Sequence, residues 1–204
     1  MPTDLHEQRL ITVMQSLLDS RAKSILDLGC GRGELLAKLA DEEQFKKIVA
    51  VDVSIDALSA AENNLGPQLA GEGDRIALLQ GSFAEKDSRL VGFDAAVLLE
   101  SIEHIEPDRL SMVERAVFGC YRPGTVLITT PNEEYNVLYN KPKGQTRHPD
   151  HRFEWPREKF EAWASGVANR NGYRVAFAGI GSAHPTLGCS TQMAQFRLRE
   201  VLRS

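Results

Sequence analysis

The 204-residue sequence has no apolar run approaching the roughly 18–20 residues needed to cross a bilayer. Its start, Met1-Pro2-Thr3-Asp4-Leu5, lacks the basic-then-apolar layout of a signal peptide. A soluble, cytoplasmic protein is therefore expected. Cysteine is scarce: Cys30, Cys120 and Cys189 are far apart and form no C-x-x-C pair. An odd, scattered set argues against a disulfide framework and against a zinc ribbon, so reduced thiols are expected. Positive charge is lacking as well. A formal net charge of −4 is not the footprint of a protein that coats long nucleic acid through many phosphate contacts. It still allows a protein that grips only a terminus. There is no internal repeat, low-complexity tract or linker. The length then predicts a single domain over residues 1–204, large enough to bury a substantial core.

One stretch departs from the overall charge balance. Lys141, Lys143, Arg147, Arg152 and Arg157 fall close together with His148 and His151. A solvated loop is the plain reading of such a run, and a path for phosphates is the other.

The apolar patterning predicts helices over Leu5 to Leu18, Glu34 to Leu39, about Ser54 to Leu65, about Asp108 to Phe118, and from Pro156 to about Asn171. Short apolar runs predict strands at Ser24 to Leu28, Ile48 to Val51, Ile76 to Leu79, Phe93 to Leu98, and Val126 to Thr129. Tyr173 to Ala178 and Gln192 to Leu198 read as two closing strands. Strands alternating with helices imply an α/β fold, a doubly wound and mostly parallel seven-stranded sheet covered on both faces. Ligands of such sheets bind beyond the carboxyl ends of the strands.

Just beyond the first strand the sequence reads Asp27-Leu28-Gly29-Cys30-Gly31-Arg32-Gly33. Its G-x-G-x-G spacing differs from the G-x-G-x-x-G of dinucleotide sites. The acidic residue before it suits a ligand with a cationic amine better than one with phosphates. Asp52 ends the second strand, where a carboxylate can accept both hydroxyls of a ribose. Val53 follows it. Gly81-Ser82 follows the third strand, and Ser82 is as well explained by a simple turn as by an adenine contact. Leu99 ends the fourth. Together these residues resemble the S-adenosylmethionine site of class I methyltransferases. That resemblance implies a Rossmann-like sheet and a cofactor bound by Asp27, Gly29, Gly31, Gly33, Asp52, Val53, Ser82 and Leu99.

A second constellation follows the fourth strand. Glu100, Glu103 and His104 stand at i, i+3 and i+4, which on one helical turn places all three on a face. Two carboxylates and an imidazole converging at the cofactor end of the sheet call for a divalent cation. A fourth candidate ligand lies in Arg147-His148-Pro149-Asp150-His151. Oxygen and nitrogen donors without thiolate favour Mg²⁺, Mn²⁺, Fe²⁺ or Co²⁺ over structural zinc, and imidazole tilts the choice toward Mn²⁺.

Three segments sharpen the reading: Glu100-Ser-Ile-Glu103-His104, Thr129-Thr130-Pro131-Asn132-Glu133-Glu134-Tyr135-Asn136, and Asp150-His151-Arg152-Phe153-Glu154-Trp155. They resemble the HEN family of RNA 3′-terminal ribose 2′-O-methyltransferases, and the similarity extends from Leu5-His6-Glu7-Gln8-Arg9 to about Gly181. The resemblance implies Glu100, Glu103, His104 and His151 as catalytic metal ligands. His151 is preferred over His148 because it occupies the D-H-x-F-E-W position. It also implies an RNA substrate with free 2′- and 3′-hydroxyls and an RNA end-healing and sealing partner. The domain itself is expected to be monomeric. The basic stretch would receive terminal phosphates, and Thr130-Pro131-Asn132 would shape the pocket rim. Tyr135 and Trp155 are candidates to stack on end bases, with core or hinge packing the commoner role for each. His184 is expected at the surface. Competing readings are a metal-dependent O-methyltransferase of catechol-like small molecules, an RNA-end-binding module without catalysis, and a nicotinamide oxidoreductase. The glycine spacing weighs against the last.

Overall fold

The computed structural model describes residues 4–66, 75–141 and 144–199. Helix α1 (Asp4–Asp19) leads into β1 (Ser24–Leu28), α2 (Glu34–Ala40), β2 (Lys47–Asp52), α3 (Ile55–Leu65), β3 (Ile76–Gln80) and β4 (Ala95–Leu99). After a short 3₁₀ turn come α4 (Leu110–Val113), β5 (Thr125–Pro131), a 3₁₀ segment Glu133–Tyr139, α5 (Arg157–Asn171), β6 (Tyr173–Ile180) and β7 (Thr191–Leu198). The seven strands form one sheet in the order β3-β2-β1-β4-β5-β7-β6. Strands β1 to β5 pair in parallel, and β7 lies antiparallel between β5 and β6. This is the expected doubly wound α/β architecture. Among the described residues no helix is long and apolar enough to cross a membrane.

The period-2 alternation of strand side chains assigns each strand residue to one of two cores. Leu26 and Leu28 of β1, with Ala96 and Leu98 of β4, pack on the face covered by α4 and α5. Ile25 of β1 and Ala95 and Val97 of β4 pack on the face covered by α1 and α2. Asp27 follows the parity of Ile25, so its carboxyl points to the α1/α2 side at the carboxyl end of the sheet.

Several elements differ from the sequence expectation; β2, β3 and β5 run one to two residues further at one or both ends. The fourth strand is Ala95–Leu99 and not Phe93 to Leu98, and Phe93 is a buried residue ahead of it. The helix expected from Asp108 begins as a 3₁₀ turn, becomes α4, and continues as a π turn over Glu114–Tyr121. The wider turn accompanies inward burial of Ala116, Val117, Phe118 and Tyr121. Both closing strands are longer than expected, because β7 takes its full length of partners from β5 and β6.

Gly33 shows how closely α2 and α3 pack. It stands at φ 82°, and a Cβ there would lie 2.9 Å from the Ala61 Cβ of α3. Gly33→Ala is expected to cost about 2–4 kcal/mol, from left-handed strain plus overpacking, and to lower the thermal midpoint by several degrees. Gly31→Ala, where a Cβ meets nothing within 4 Å, should cost about 1 kcal/mol. Equal losses in calorimetric melts of the two variants would remove the steric account.

Candidate active site

At the carboxyl end of β1 the chain turns sharply. The Gly29 and Cys30 N–H groups both donate to the Val51 carbonyl of β2, at 2.8 and 3.1 Å. A side chain at Gly29 would meet the Ser101 Oγ at 2.7 Å, so β4's extension and the turn can be this close only with glycine there. The Asp52 carboxylate clamps the turn from β2: its Oδ2 accepts from Gly31 N–H at 2.9 Å and its Oδ1 from Ser54 N–H at 2.9 Å. Each oxygen keeps a lone pair for a further donor.

Asp27 is 1% exposed, and its Oδ2 has no hydrogen-bond partner. Burial, reinforced by the Asp52 charge, pushes its pKa up to about 7. A buried, unpartnered carboxyl of this kind is the complement of a cationic amine. Asp27, Gly29, Gly31 and Leu99 line one cavity of about 790 Å³. Of the other expected cofactor residues, Gly33 lies under α3. Asp52, Val53 and Ser82 stand outside the cavity wall at the ends of β2 and β3, with Val53 exposed and Ser82 accepting from Ala84 N–H.

The same cavity reaches Glu100, Glu103, His104 and His151. Here the geometric premise of the sequence reading is corrected. Glu100, Glu103 and His104 do not share one α-helical turn. Glu100 stands in the left-handed region at φ 49°, with its N–H held by the Thr129 Oγ1 at 3.0 Å. Only Ile102–His104 form a turn, and it is 3₁₀. Glu100 therefore faces α1, where Arg9 pairs with it at 2.8 Å and also donates to Thr191 Oγ1 at 2.8 Å.

Glu103 is fully buried, accepts from Thr130 Oγ1 at 3.0 Å, and leaves Oε1 unpartnered. Burial and the neighbouring Glu100 hold its pKa well above the carboxylate range. Burial likewise raises that of Glu100, with Arg9 opposing. His151 arrives from a distant loop whose backbone is tied down by the Arg152 N–H donating to the Glu103 carbonyl at 2.7 Å. The His104 and His151 rings meet edge-on, 5.0 Å between centroids. Donor atoms of Glu103, His104 and His151 lie within 4.8 Å of one another. The structure thus gathers three of the four expected ligands, and Glu100 stands beside them engaged by Arg9. His148, 5.6 Å from the His151 ring, lines the cavity but stands outside that group. Orphaned carboxylate oxygens beside imidazoles, with no thiolate, fit a divalent cation of the Mn²⁺ or Mg²⁺ kind.

Several expectations for the surroundings are overturned. Arg147 is not free for phosphate: it is half-buried and donates to Asn136 Oδ1 at 2.5 Å, to Ser190 O at 2.9 Å and to the Asn132 carbonyl. Arg157 pairs with Glu134 at 2.8 Å. Arg152 is exposed beside Glu106, and Lys143 lies outside the described residues. Trp155 takes the packing role of its two readings, buried against Phe153 and Trp163, and is not placed to stack on a base. The Tyr135 hydroxyl donates to Ser182 O. Of Thr130-Pro131-Asn132, only Pro131 lines the cavity; Asn132 donates to Leu187 O and Cys189 O. His184 is half-buried, its Nδ1 accepting from Thr186 and Leu187 N–H groups. The sequence motifs contain Arg9, Asn136 and Glu154 but assign them no task. Their roles come from contacts across the chain that residue type does not announce.

The sheet and site can now be compared with known proteins. Residues 26–127 match the methyltransferase domain family. The solved methyltransferase domain of bacterial CtHen1-C shares 42% identity at a TM-score of 0.86, covering 97% of this chain and 100% of that one. The chain belongs to the Hen1 family of methyltransferase domains. A solved small RNA methyltransferase HEN1 matches the same domain at 35% identity and a TM-score of 0.87, over 96% of this chain and 25% of that one. The small RNA 2′-O-methyltransferase of Xenopus tropicalis is 37% identical over 201 residues, 94% of this chain and 54% of its own length. The chain spans about half the length of the vertebrate relatives it matches. S-adenosylmethionine is the methyl donor of this fold. In the Hen1 domain described here, the orphaned Asp27 oxygen, the open face of Gly31 and the ribose-ready Asp52 fit it.

Because burial raises the pKa of Asp27, its contribution to the stability of the ligand-free Hen1 domain is largest at acid pH. That contribution is lost as pH rises through about 7. Binding of an ammonium group reverses the preference. The affinity for S-adenosylhomocysteine, read by titration calorimetry, is expected to rise by up to about tenfold per pH unit below pH 7 and to level off above it. Asp27→Asn should bind more weakly and lose that slope. An unchanged slope in the variant would assign the proton to another group.

Proposed function

We propose that this domain transfers a methyl group from S-adenosylmethionine to the 2′-hydroxyl of the 3′-terminal ribose of RNA, with a divalent cation held by Glu103, His104 and His151 and completed by Glu100. The observation that carries the reading is the convergence of the Glu103, His104 and His151 donors in the same cavity as Asp27 and the glycine turn. The names of its relatives support RNA as the acceptor over a catechol. The reading includes an RNA end-healing and sealing partner, as the family resemblance implies.

The chain's own residues have separable tasks. Asp27 receives the donor's amine, and Asp52 receives its ribose. Leu99, the last residue of β4 and next in sequence to Glu100, lines the cavity that Asp27 and Glu100 share. Most of the acceleration is positional, since holding two reactants in line is worth several orders of magnitude. Glu103 is buried, His104 faces solvent, and His151 lies between. The site is thus open on the imidazole side, where a chain end can enter. When bound, a divalent cation supplies Lewis-acid activation of the 2′-hydroxyl and a template for the adjacent 3′-hydroxyl. Selection of the chain end then needs no reading of bases, because an internal nucleotide has its 3′-oxygen in a phosphodiester.

RNA ending in a 2′-deoxy or 3′-phosphate nucleotide is expected to accept no methyl group, while the same RNA with both hydroxyls does so in the presence of Mn²⁺. Radiolabel transfer to either of the first two that is comparable with transfer to the third would sink the diol reading. Loss of a group that merely orients a ligand costs about 10–100-fold, so Glu103→Ala or His151→Ala should lower turnover by at least about a hundredfold. Cofactor affinity should stay near wild type in both. A parallel fall in cofactor affinity would show that the two ends of the cavity are not separable.

A further inference from the structure

The loop that delivers His151 is held by a buried polar network that the proposed reaction has not yet used. At its centre is Glu154, whose side chain is 1% exposed. Its Oε1 accepts from His151 Nδ1 at 2.6 Å and from the Arg147 N–H at 2.7 Å. Its Oε2 accepts from Asn136 Nδ2 at 2.6 Å. Asn136 turns its other amide atom, Oδ1, to Arg147 Nε at 2.5 Å. The remaining Arg147 donors reach Ser190 O and Oγ, just ahead of β7, and the Asn132 carbonyl, just beyond β5.

The chemistry of these partners leaves one arrangement. Glu154 accepts and never donates when charged, and Arg147 donates and never accepts. Asn136 is the adaptor between them. Its amide orientation is fixed, because the donor end must face the carboxylate and the acceptor end the guanidinium. Both Glu154 oxygens already accept from N–H donors, Arg147 at Oε1 and Asn136 at Oε2. An acceptor oxygen 2.6 Å from Nδ1 puts the His151 proton on that nitrogen and leaves Nε2 as the ligand atom.

We infer that Glu154 is a positioning residue. Held through Asn136 and Arg147 by the ends of β5 and β7, it locks His151 in the Nδ1–H form with Nε2 turned to the cation. The inference rests on the cation-dependent reading above. The network also explains why a loop residue can serve a site built on strand ends, since its ring plane is referenced to the sheet and not to the loop.

The test compares wild type, Glu154→Gln and Glu134→Gln, each as the whole chain without RNA. Glu154→Gln keeps size and removes the charge. Its amide NH₂ must face either the Asn136 donor or the donors at Oε1, so no orientation restores the network. Glu134, which pairs with Arg157, controls for general loosening. Mn²⁺ affinity by electron paramagnetic resonance is expected to fall about 10–100-fold in Glu154→Gln and to stay within about twofold in the control. S-adenosylhomocysteine affinity should be unchanged in both. In metal-free protein, long-range ¹H–¹⁵N correlation should show His151 in the Nδ1–H tautomer in wild type and in a tautomer mixture in Glu154→Gln. A merely structural carboxylate would not move that signal.

An unchanged tautomer in a folded Glu154→Gln overturns the inference whatever the metal does. Equal Mn²⁺ affinity in Glu154→Gln and wild type overturns it as well and leaves the cation reading intact. Wild-type protein that binds no divalent ion removes the cation reading itself, and the tautomer measurement still decides whether Glu154 sets the ring.

Discussion

Two carboxylates held side by side at the end of β4, one fully buried and one half-buried, repel each other and lose hydration together. The backbone imposes the arrangement. Thr129 fixes the Glu100 N–H, Glu100 takes a left-handed φ of 49°, and the 3₁₀ turn after it swings Glu103 inward. Left-handed backbone costs a non-glycine residue about 1–2 kcal/mol, and strain of this kind persists where the surroundings over-determine it. Arg9 compensates Glu100, but Glu103 has only the Thr130 hydroxyl on one oxygen. As a bare packing solution this is poor, because burying an incompletely paired carboxylate costs more than the fold recovers. As half of a ligand set it is coherent, since a cation supplies the missing positive charge where the orphaned oxygens lie.

The sheet topology determines what can be assembled around that pair. Parallel β1, β2 and β4 end at one edge, so the amine-seeking Asp27 and the carboxylates after Leu99 open into one cavity. The antiparallel insertion of β7 against β5 brings Ser190 and Thr191 to the same edge. Arg147 and Arg9, far apart in the sequence, find their anchors there. The last two strands therefore do more than complete the sheet. They tie both the first helix and the histidine loop to the end of β5, the strand whose Thr129 and Thr130 hold the two glutamates.

Much of this was legible in the residues. Short apolar runs alternating with amphipathic helices specify the sheet, because buried parallel strands admit little else. An acidic residue before G-x-G-x-G, with a second acid ending the next strand, marks the cofactor end. Glu103, His104 and His151 could be named together through the family resemblance, and the geometry gathers them. The helical turn assumed for Glu100, Glu103 and His104 was wrong because a left-handed glutamate leaves no compositional trace; i, i+3, i+4 spacing reads the same on an α-helix and across such a kink. Arg147 was misjudged for a related reason. A run of basic residues looks solvated unless its acceptors are known, and those acceptors are main-chain carbonyls and an amide far away in sequence. Trp155 belonged to the core because Phe153, Trp163 and the end of β5 enclose it, a packing fact with no local signature.

The internal pairing of the arginines bears on how an RNA end is held on the proposed reading. Arg9 is committed to Glu100 and Thr191, Arg147 to Asn136, Ser190 and Asn132, and Arg157 to Glu134. None of these three is at liberty to neutralise phosphates, and the chain carries a net charge of −4. Binding that drew its strength from the phosphate backbone would require the opposite distribution. The weight of recognition then falls on the terminal sugar, whose paired hydroxyls match a site of oxygen and nitrogen donors, and on entry from the exposed His104 side. A grip of that kind discriminates ends from interiors and is indifferent to sequence.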